Sequence, residues 1–129
     1  MFEEKGKYTM MFVESVDAAG ITMKQSFSSM LTGFDRFPSG MNMGSGTAWL
    51  KTAGKVFSKW CGMMMTEDKE MIVWNAPGNG KQENDELKGV VFVTFMTKSE
   101  NYAWINSITA ILELKGNMME FIDVGDVWS

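Results

Sequence analysis

Histidine is absent from the 129-residue chain, and no other feature of the composition excludes as many kinds of catalytic and metal-binding site. Histidine is the most frequent metal ligand, a frequent general base and the usual pH switch near neutrality. Catalysis through a Ser-His-Asp or Cys-His arrangement is therefore excluded. Any acid–base chemistry has to use a carboxylate, a lysine or a tyrosine.

Cysteine occurs once, as Cys61, so no disulfide can form within the chain. The first ten residues, "MFEEKGKYTM", lack the basic start and the apolar stretch of a signal peptide. The longest strongly apolar run, "GVVFVTFM", is too short to cross a bilayer as a helix. We therefore expect a cytoplasmic protein without membrane association.

Concentrated positive charge is also missing from the sequence. The net charge is -4, from 12 basic and 16 acidic residues that are scattered along the chain. A nucleic-acid-binding domain usually shows a basic patch or stripe. We therefore expect no nucleic-acid partner, and we interpret the acidic balance as a feature that favours solubility.

The chain is instead rich in sulfur and aromatic side chains, with 14 methionines, five tryptophans and nine phenylalanines. A chain of this length can bury a core without disulfides, so we predict a single domain over residues 1–129. Methionine fills irregular spaces and adaptable surfaces. Its abundance predicts either an irregular cavity or a subunit interface.

Short segments of alternating side chains, separated by turn residues, dominate the rest of the sequence. The clearest pair, residues 7–16 and 21–28, predicts a β-hairpin around "DAAG". Further segments predict eight or nine strands in all, and residues 99–107 predict one short helix. Residues 36–46 and 77–86 are rich in glycine and other turn formers, so we predict loops there. The fold class that results is all-β, a small antiparallel β-barrel of about eight strands with one short helix.

Three segments of the sequence carry a resemblance to a known group of proteins: "GKYTMMFVES", "GKVFSKWCGMMMTEDKEMIVWNAPGNGK" and "FVTFMTKSENYAWINSITAILELKGN". They resemble a family of small, uncharacterised prokaryotic proteins. The matching residues are Met65, Thr66, Asp68, Glu70, Met71, Trp74, Gly78, Gly80, Thr97, Ser99 and Asn106. The stretches "KWCG" and "NAPG" depart from the glycine-rich pattern of that family. The architecture is also similar to allene-oxide-cyclase-like and lipocalin-like barrels, and no functional residue can be carried over from any of these proteins.

The segment "WCGMMMTEDKEMIVW", residues 60–74, combines soft sulfur ligands with two tryptophans. Cu(I) accepts such ligands. However, alternate residues of a strand point to opposite faces, and Met71 is the only methionine on the strand that follows the "TEDK" turn. We therefore predict no metal site and no cofactor. Pairing through a four-residue turn, with Met65 opposite Glu70, gives a hairpin that is apolar on both faces, and we expect another subunit to cover the outer face.

Three polar residues are predicted inside the barrel as ligand-binding or catalytic groups. Pairing of the first hairpin places Glu14 opposite Met23 and diagonal to Gln25 on an apolar face. Glu120 has a similar place in the last hairpin. A carboxylate on an apolar face is costly unless it is satisfied, and its pKa is often raised. Glu14 and Glu120 are therefore the candidate catalytic groups, and the alternative for Glu14 is simple contact with water at the end of its strand.

These expectations lead to a functional hypothesis with two alternatives. The first hypothesis is an oligomeric binding module for a small apolar molecule, anchored by Glu14, Gln25 and Glu120. The predicted apolar lining consists of Phe27, Trp49 and Trp60. The second hypothesis is a cyclase or isomerase that uses a buried carboxylate. The third is a purely structural domain that self-associates.

Overall fold

The computed structural model describes residues 1–84, 86–117 and 121–128, with side chains through Gly116. Eight antiparallel strands follow one another around a closed barrel in chain order. The strands are β1 (Phe2–Asp17), β2 (Gly20–Gly33), β3 (Gly40–Lys51), β4 (Lys55–Thr66), β5 (Met71–Glu83), β6 (Glu86–Met96), β7 (Thr109–Asn117) and β8 (Phe121–Trp128). A 3₁₀ helix (Glu100–Ser107) lies between β6 and β7. The predicted fold class is confirmed.

Alternation of side chains produces this barrel because successive residues of a strand face opposite sides of the sheet. In β2 the buried positions are Met23, Gln25, Phe27, Ser29 and Leu31, and the residues between them are at least partly exposed. The barrel closes where Glu4–Lys7 of β1 pair with Phe121–Val124 of β8. Phe27 and Leu31 of β2 belong to the hydrophobic core, together with inward apolar residues of the other strands.

Two segments that we predicted as loops are strands. β3 includes most of residues 36–46, and β5 runs through most of residues 77–86. The prediction was wrong because it treated glycine as a turn signal. Glycine inside a strand can also mark a place where a large neighbour approaches the backbone closely.

The inward glycines of β3 show this close approach. A Cβ atom on Gly44 would lie 2.8 Å from the Trp74 ring and 2.9 Å from the Phe27 ring. A Cβ atom on Gly46 would lie 2.7 Å from the Trp60 ring. All three distances are too short for real contacts, so only glycine leaves room for these aromatic rings inside a narrow barrel.

β1 carries two irregularities that change the predicted register of the first hairpin. The pairing with β2 shifts between Tyr8 and Met10 and again between Val13 and Ser15. Thr9 and Glu14 are therefore extra residues of the bulge type, and each reverses the faces of the residues beyond it. As a consequence Met23 lies opposite Val13, and the predicted pairing of Met23 with Glu14 is wrong.

The turn between β4 and β5 also differs from the prediction by one residue. Met65 lies opposite Met71 rather than Glu70. The N–H group of Thr66 donates to the carbonyl of Glu70 at 2.9 Å, and Lys69 has a left-handed φ of 65°. The loop therefore consists of three residues between Thr66 and Glu70, a common hairpin form in which the last loop residue is left-handed. The predicted apolar character of both faces is confirmed, since Met64 and Ile72 are buried while Met65 and Met71 are exposed.

Aromatic side chains fill the end of the barrel where β1 begins. Phe37, from the β2–β3 connection, is buried with its ring centroid 4.7 Å from that of Phe2. The Phe37 ring also lies 5.9 Å from Phe95 and 6.2 Å from Trp104 of the 3₁₀ helix. The guanidinium of Arg36 lies over the Trp104 ring at 3.9 Å, a cation–π contact. The helix and this connection therefore close the barrel at that end.

Several residues that carry the family resemblance hold this closed end together. Tyr102 donates a hydrogen bond to the carboxylate of Asp68, at 2.9 Å to Oδ2, and so joins the helix to the β4–β5 turn. The side chain of Asn106 accepts from the N–H of Thr97 at 2.7 Å and donates to the carbonyl of Thr97 at 3.1 Å. Asp68, Thr97 and Asn106 therefore connect the helix to the β4–β5 turn and to the segment that follows β6.

Candidate functional site

Two small cavities lie among the interior side chains that the structure describes. The first has a volume of about 60 Å³, and its lining includes Glu4, Asn42, Trp60 and Trp74 among apolar side chains. The second has a volume of about 40 Å³, and its lining includes Tyr8, Gln25 and Trp60. Trp60 lines both cavities and therefore lies between them.

A buried polar cluster borders the first cavity. The side-chain amide of Asn42 donates to the carboxyl oxygens of Glu4 at 3.1 Å and 3.3 Å. The indole N–H of Trp74 donates to the amide oxygen of Asn42 at 2.8 Å. All three residues are buried, although they come from three different strands, β1, β3 and β5.

This arrangement fixes the direction in which Asn42 points. An indole N–H can only donate, so the atom of Asn42 that faces Trp74 must be the oxygen. The NH₂ group of Asn42 is then directed at Glu4. The cluster is therefore an ordered chain of donors that ends on the carboxyl group.

The carboxyl group of Glu4 has an unusual environment. Burial raises the pKa of Glu4 above its ordinary value of 4.5, and the hydrogen bond from Asn42 acts in the opposite direction. Burial in an apolar environment disfavours the charged form of a carboxyl group, whereas hydrogen bonds to the carboxylate favour it. The desolvation cost is the largest of these effects.

Two neighbouring polar groups lack a hydrogen-bond partner among the described residues. They are the hydroxyl of Ser29 and the amide nitrogen of Gln25, and both are buried. Leaving such a group unpaired costs free energy, so each is able to bind a small polar group or a water molecule. Tyr8 lies near Gln25 at the second cavity, and burial raises the pKa of Tyr8 to about 12.

The cluster can act on a small molecule in two ways. A neutral Glu4 is a hydrogen-bond donor, and an ionised Glu4 accepts hydrogen bonds or takes up a proton. The surrounding side chains are apolar, which strengthens any electrostatic interaction within the cavity. The cavity therefore has mostly apolar walls, and the Glu4 carboxyl group can orient a bound molecule within it.

Three of the residues that we predicted from the sequence lie in the interior. Gln25 is 2% exposed and Phe27 is 6% exposed. The rings of Phe27 and Trp60 meet edge to face with centroids 5.5 Å apart. Phe27 also contacts Trp74, at a centroid distance of 5.9 Å, so these aromatic rings form one wall of the interior.

The other three predicted residues do not join them. Glu14 lies at a bulge on the outside of β1, where its carboxylate is 3.9 Å from the amine of Lys24, so its predicted interior position is wrong. Trp49 follows the buried Ala48 in β3 and therefore faces outward, and its predicted place in the lining is also wrong. Glu120 lies outside the described residues.

Sequence reasoning missed Glu4 and Asn42. Glu4 alternates with Phe2 and Tyr8, which continues the period-two pattern of β1 toward the N-terminus. This signal is present, but the predicted strand began at residue 7, so it did not include Glu4. Asn42 was missed because its segment was assigned to a loop.

Among the described residues, no group of three or more acidic or cysteine side chains is placed to hold a metal ion. In the same part of the chain, no helix has the length and apolar character needed to cross a membrane.

Comparison with solved structures finds proteins of the same architecture. A conserved protein of unknown function from Rhodopseudomonas palustris superposes with a TM-score of 0.77 at 13% identity, over 98% of this chain and 94% of its own. A β-barrel-like protein from Acinetobacter baumannii has a TM-score of 0.75 at 15% identity, with 97% and 92% covered. An enzyme from Penicillium herquei has a TM-score of 0.69 at 19% identity, also with 97% and 92% covered. The fold is that of uncharacterised β-barrel proteins.

The predicted resemblance is thus confirmed at the level of the fold. No protein-family model matches the chain, and no curated protein matches it either. At these identities the shared structure establishes architecture alone, because one fold serves many unrelated functions. Function has to be argued from the cluster around Glu4.

Proposed function

We propose that the protein binds a small, mainly apolar molecule inside the barrel, with one polar group of that molecule directed at Glu4. The observation that carries this proposal is a buried carboxyl group beside a cavity of about 60 Å³ with mostly apolar walls. Ligand pockets commonly combine apolar walls with a few placed polar groups. The amide nitrogen of Gln25, at the second cavity, is a further buried polar group without a partner among the described residues.

The size of the cavities limits the ligand. Typical pockets for drug-sized molecules measure roughly 300–1,000 Å³. Two cavities of about 60 Å³ and 40 Å³ are well below that range. The expected ligand is therefore a compact molecule of few heavy atoms, or one whose entry moves Trp60 and joins the two spaces.

Phenol and toluene form a matched pair of probes for this proposal. Both have nearly the same shape, but only phenol has a hydroxyl group that can bond with Glu4. We expect phenol to bind roughly two- to tenfold more tightly, the usual contribution of one hydrogen bond. Saturable changes in tryptophan fluorescence and in melting temperature measure both affinities, since Trp60 and Trp74 line the cavity.

Two leucine variants serve as test and control. Glu4→Leu should remove the preference for phenol, whereas Glu14→Leu, on the outer surface, should keep it. Circular dichroism establishes that each variant is folded. Absence of saturable binding of either probe to the wild-type protein would show that the interior serves packing alone.

A second candidate function is proton transfer by Glu4, as in a cyclase or isomerase. The observation that favours it is the raised pKa of this carboxyl group, which brings it closer to the pH at which a general acid or base works best. In deuterated buffer the protein should then exchange the α-hydrogens of cyclopentanone, as followed by NMR. Glu4→Gln should abolish that exchange, and exchange equal to the buffer blank in the wild-type protein would rule out this candidate.

We also propose that the protein self-associates and resides in the cytoplasm. Self-association is supported by exposed apolar side chains on β1, among them Phe12, Val13 and Val16. The cytoplasm is supported by Cys61, an exposed free thiol, because oxidising compartments favour disulfides.

A further inference from the structure

The outer surface of the barrel carries a cluster of methionines that sequence spacing does not reveal. Met30, Met41, Met65 and Met71 lie directly opposite one another across β2, β3, β4 and β5. In the next row, Met43 of β3 lies opposite Met63 of β4. We call these six residues the methionine face.

The sequence-based prediction considered only one of the two neighbours of β4. It compared the methionines of β4 with β5, where Met71 is the single match. The other neighbour is β3, whose segment was predicted as a loop. With β3 in place, Met41, Met43, Met63 and Met65 form a square of four thioether side chains on two adjacent strands.

The square lies on the solvent side of the barrel. Met64, between Met63 and Met65, is buried in the core, so its two neighbours face outward. Met41 is 54% exposed, Met43 is 47% exposed and Met65 is 37% exposed. Met63 is half-buried. None of the four side chains belongs to the buried core.

The geometry of paired strands allows these sulfurs to converge. Residues directly opposite in a sheet have Cβ atoms about 4.5 to 5.5 Å apart. Methionine has three rotatable bonds in its side chain and a polarizable sulfur, so neighbouring thioethers can turn toward one point. Four such groups around that point form a ligand set of soft donors only.

The choice of residue type also distinguishes this surface from an ordinary apolar patch. Strand positions favour β-branched and aromatic residues, and methionine is not among those that strands enrich. A surface meant only for apolar contact has no need of sulfur at six positions. Hard cations require oxygen ligands, whereas thioethers and thiolates favour Cu(I).

We propose that Met41, Met43, Met63 and Met65 bind a soft monovalent metal ion, Cu(I) or its analogue Ag(I), on the outer surface of the barrel. Cys61, which is exposed and two residues before Met63 on the same face, lies at the border of this site. The binding is independent of the interior cluster around Glu4, because the two sites face opposite sides of the sheet.

Ag(I) titration tests the proposal without redox chemistry. The chain is used as the Cys61→Ser variant, because a free thiol binds Ag(I) by itself. We expect one Ag(I) per chain by native mass spectrometry and a saturable isotherm by calorimetry. Cu(I) should compete for the same site in anaerobic buffer, measured against a colorimetric Cu(I) chelator.

Leucine substitutions test whether the sulfur atoms, rather than the apolar character of the surface, bind the ion. In the same background, Met41→Leu, Met43→Leu, Met63→Leu and Met65→Leu together should weaken Ag(I) binding roughly tenfold or more. Such swaps nearly conserve volume and apolarity, so the fold should persist. The control pair Met10→Leu and Met96→Leu, exposed methionines outside the square, should leave binding unchanged.

Two results would overturn the proposal. One is a Cys61→Ser protein that binds no Ag(I), and the other is a fourfold leucine variant that binds it as tightly as its parent. If the fourfold variant does not fold, the pairs Met41→Leu with Met65→Leu and Met43→Leu with Met63→Leu replace it. Each pair leaves two sulfurs and should give an intermediate affinity, and unchanged affinity in both pairs would again contradict the proposal.

Discussion

Glu4 is a carboxyl group whose neutral form is favoured by its surroundings. Burial raises its pKa, so the folded protein holds the proton of Glu4 more tightly than the unfolded chain does. The contribution of this group to stability is therefore fully present below about the ordinary pKa of 4.5. It is lost as the pH rises from there through the raised pKa of the folded state.

Replacing Glu4 by glutamine should remove this pH dependence. The free energy of unfolding of the wild-type protein should fall as the pH rises above 4.5, with a limiting slope of about 1.4 kcal/mol per pH unit from this one group. Glu4→Gln cannot ionise and can still accept a hydrogen bond from Asn42, so its profile should be flatter. Urea denaturation at a series of pH values measures both profiles.

The neighbouring residue provides the control for this experiment. Glu3 is exposed, and Glu3→Gln should leave the slope of the wild-type profile in place. Equal slopes for wild type and Glu4→Gln would show that the carboxyl group of Glu4 titrates alike in the folded and unfolded chains.

At the scale of the elements, β1 differs from the other strands because much of one edge lacks a partner. Within the described residues, its pairing with β8 covers only Glu4–Lys7, whereas its pairing with β2 continues to Asp17. Unpaired strand edges are templates for another strand. Val13 and Val16 are 53% and 70% exposed on this part of β1. In the self-association that we propose, a second copy of the chain adds its own β1 in antiparallel fashion and forms one continuous sheet across the two barrels.

Charged substitutions on β1 should prevent that association. We expect Val13→Lys with Val16→Lys to weaken self-association roughly tenfold or more, because lysine on an edge strand opposes edge-to-edge pairing. Light scattering after size-exclusion chromatography measures the mass over a concentration series. Met41→Lys, on the methionine face, is the matched control and should leave the mass unchanged. A wild-type mass of one chain at micromolar concentration, or dissociation by Met41→Lys instead, would contradict pairing through β1.

At the scale of the whole molecule, the barrel could be predicted from the sequence and its interior could not. Alternation is a local pattern, so each hairpin signals its presence within a few residues. The side that faces inward depends on phase, and single extra residues at Thr9 and Glu14 reverse that phase. This is why Gln25 and Phe27 of the regular β2 were placed correctly, while Glu14 was assigned to the wrong side.

The candidate site depends on contacts between distant strands, which no local pattern encodes. Asn42 contacts Glu4 and Trp74 only after β1, β3 and β5 are in place. The glycines of β3 caused its segment to be predicted as a loop. In the barrel, Gly44 and Gly46 are glycine because aromatic rings lie against their backbone. The role of these two glycines can be recognised only in the folded barrel, where they lie against Trp60 and Trp74.

The position of Trp60 between the two cavities makes the barrel a natural starting point for protein engineering. The ring of Trp60 lies, with Val91 and Leu114, between about 60 Å³ and about 40 Å³ of free space. A smaller side chain at position 60 would add the volume of the indole ring to these two spaces. For the binding function that we propose, position 60 would then adjust the size of the bound molecule, while Glu4 would adjust the preference for a polar group.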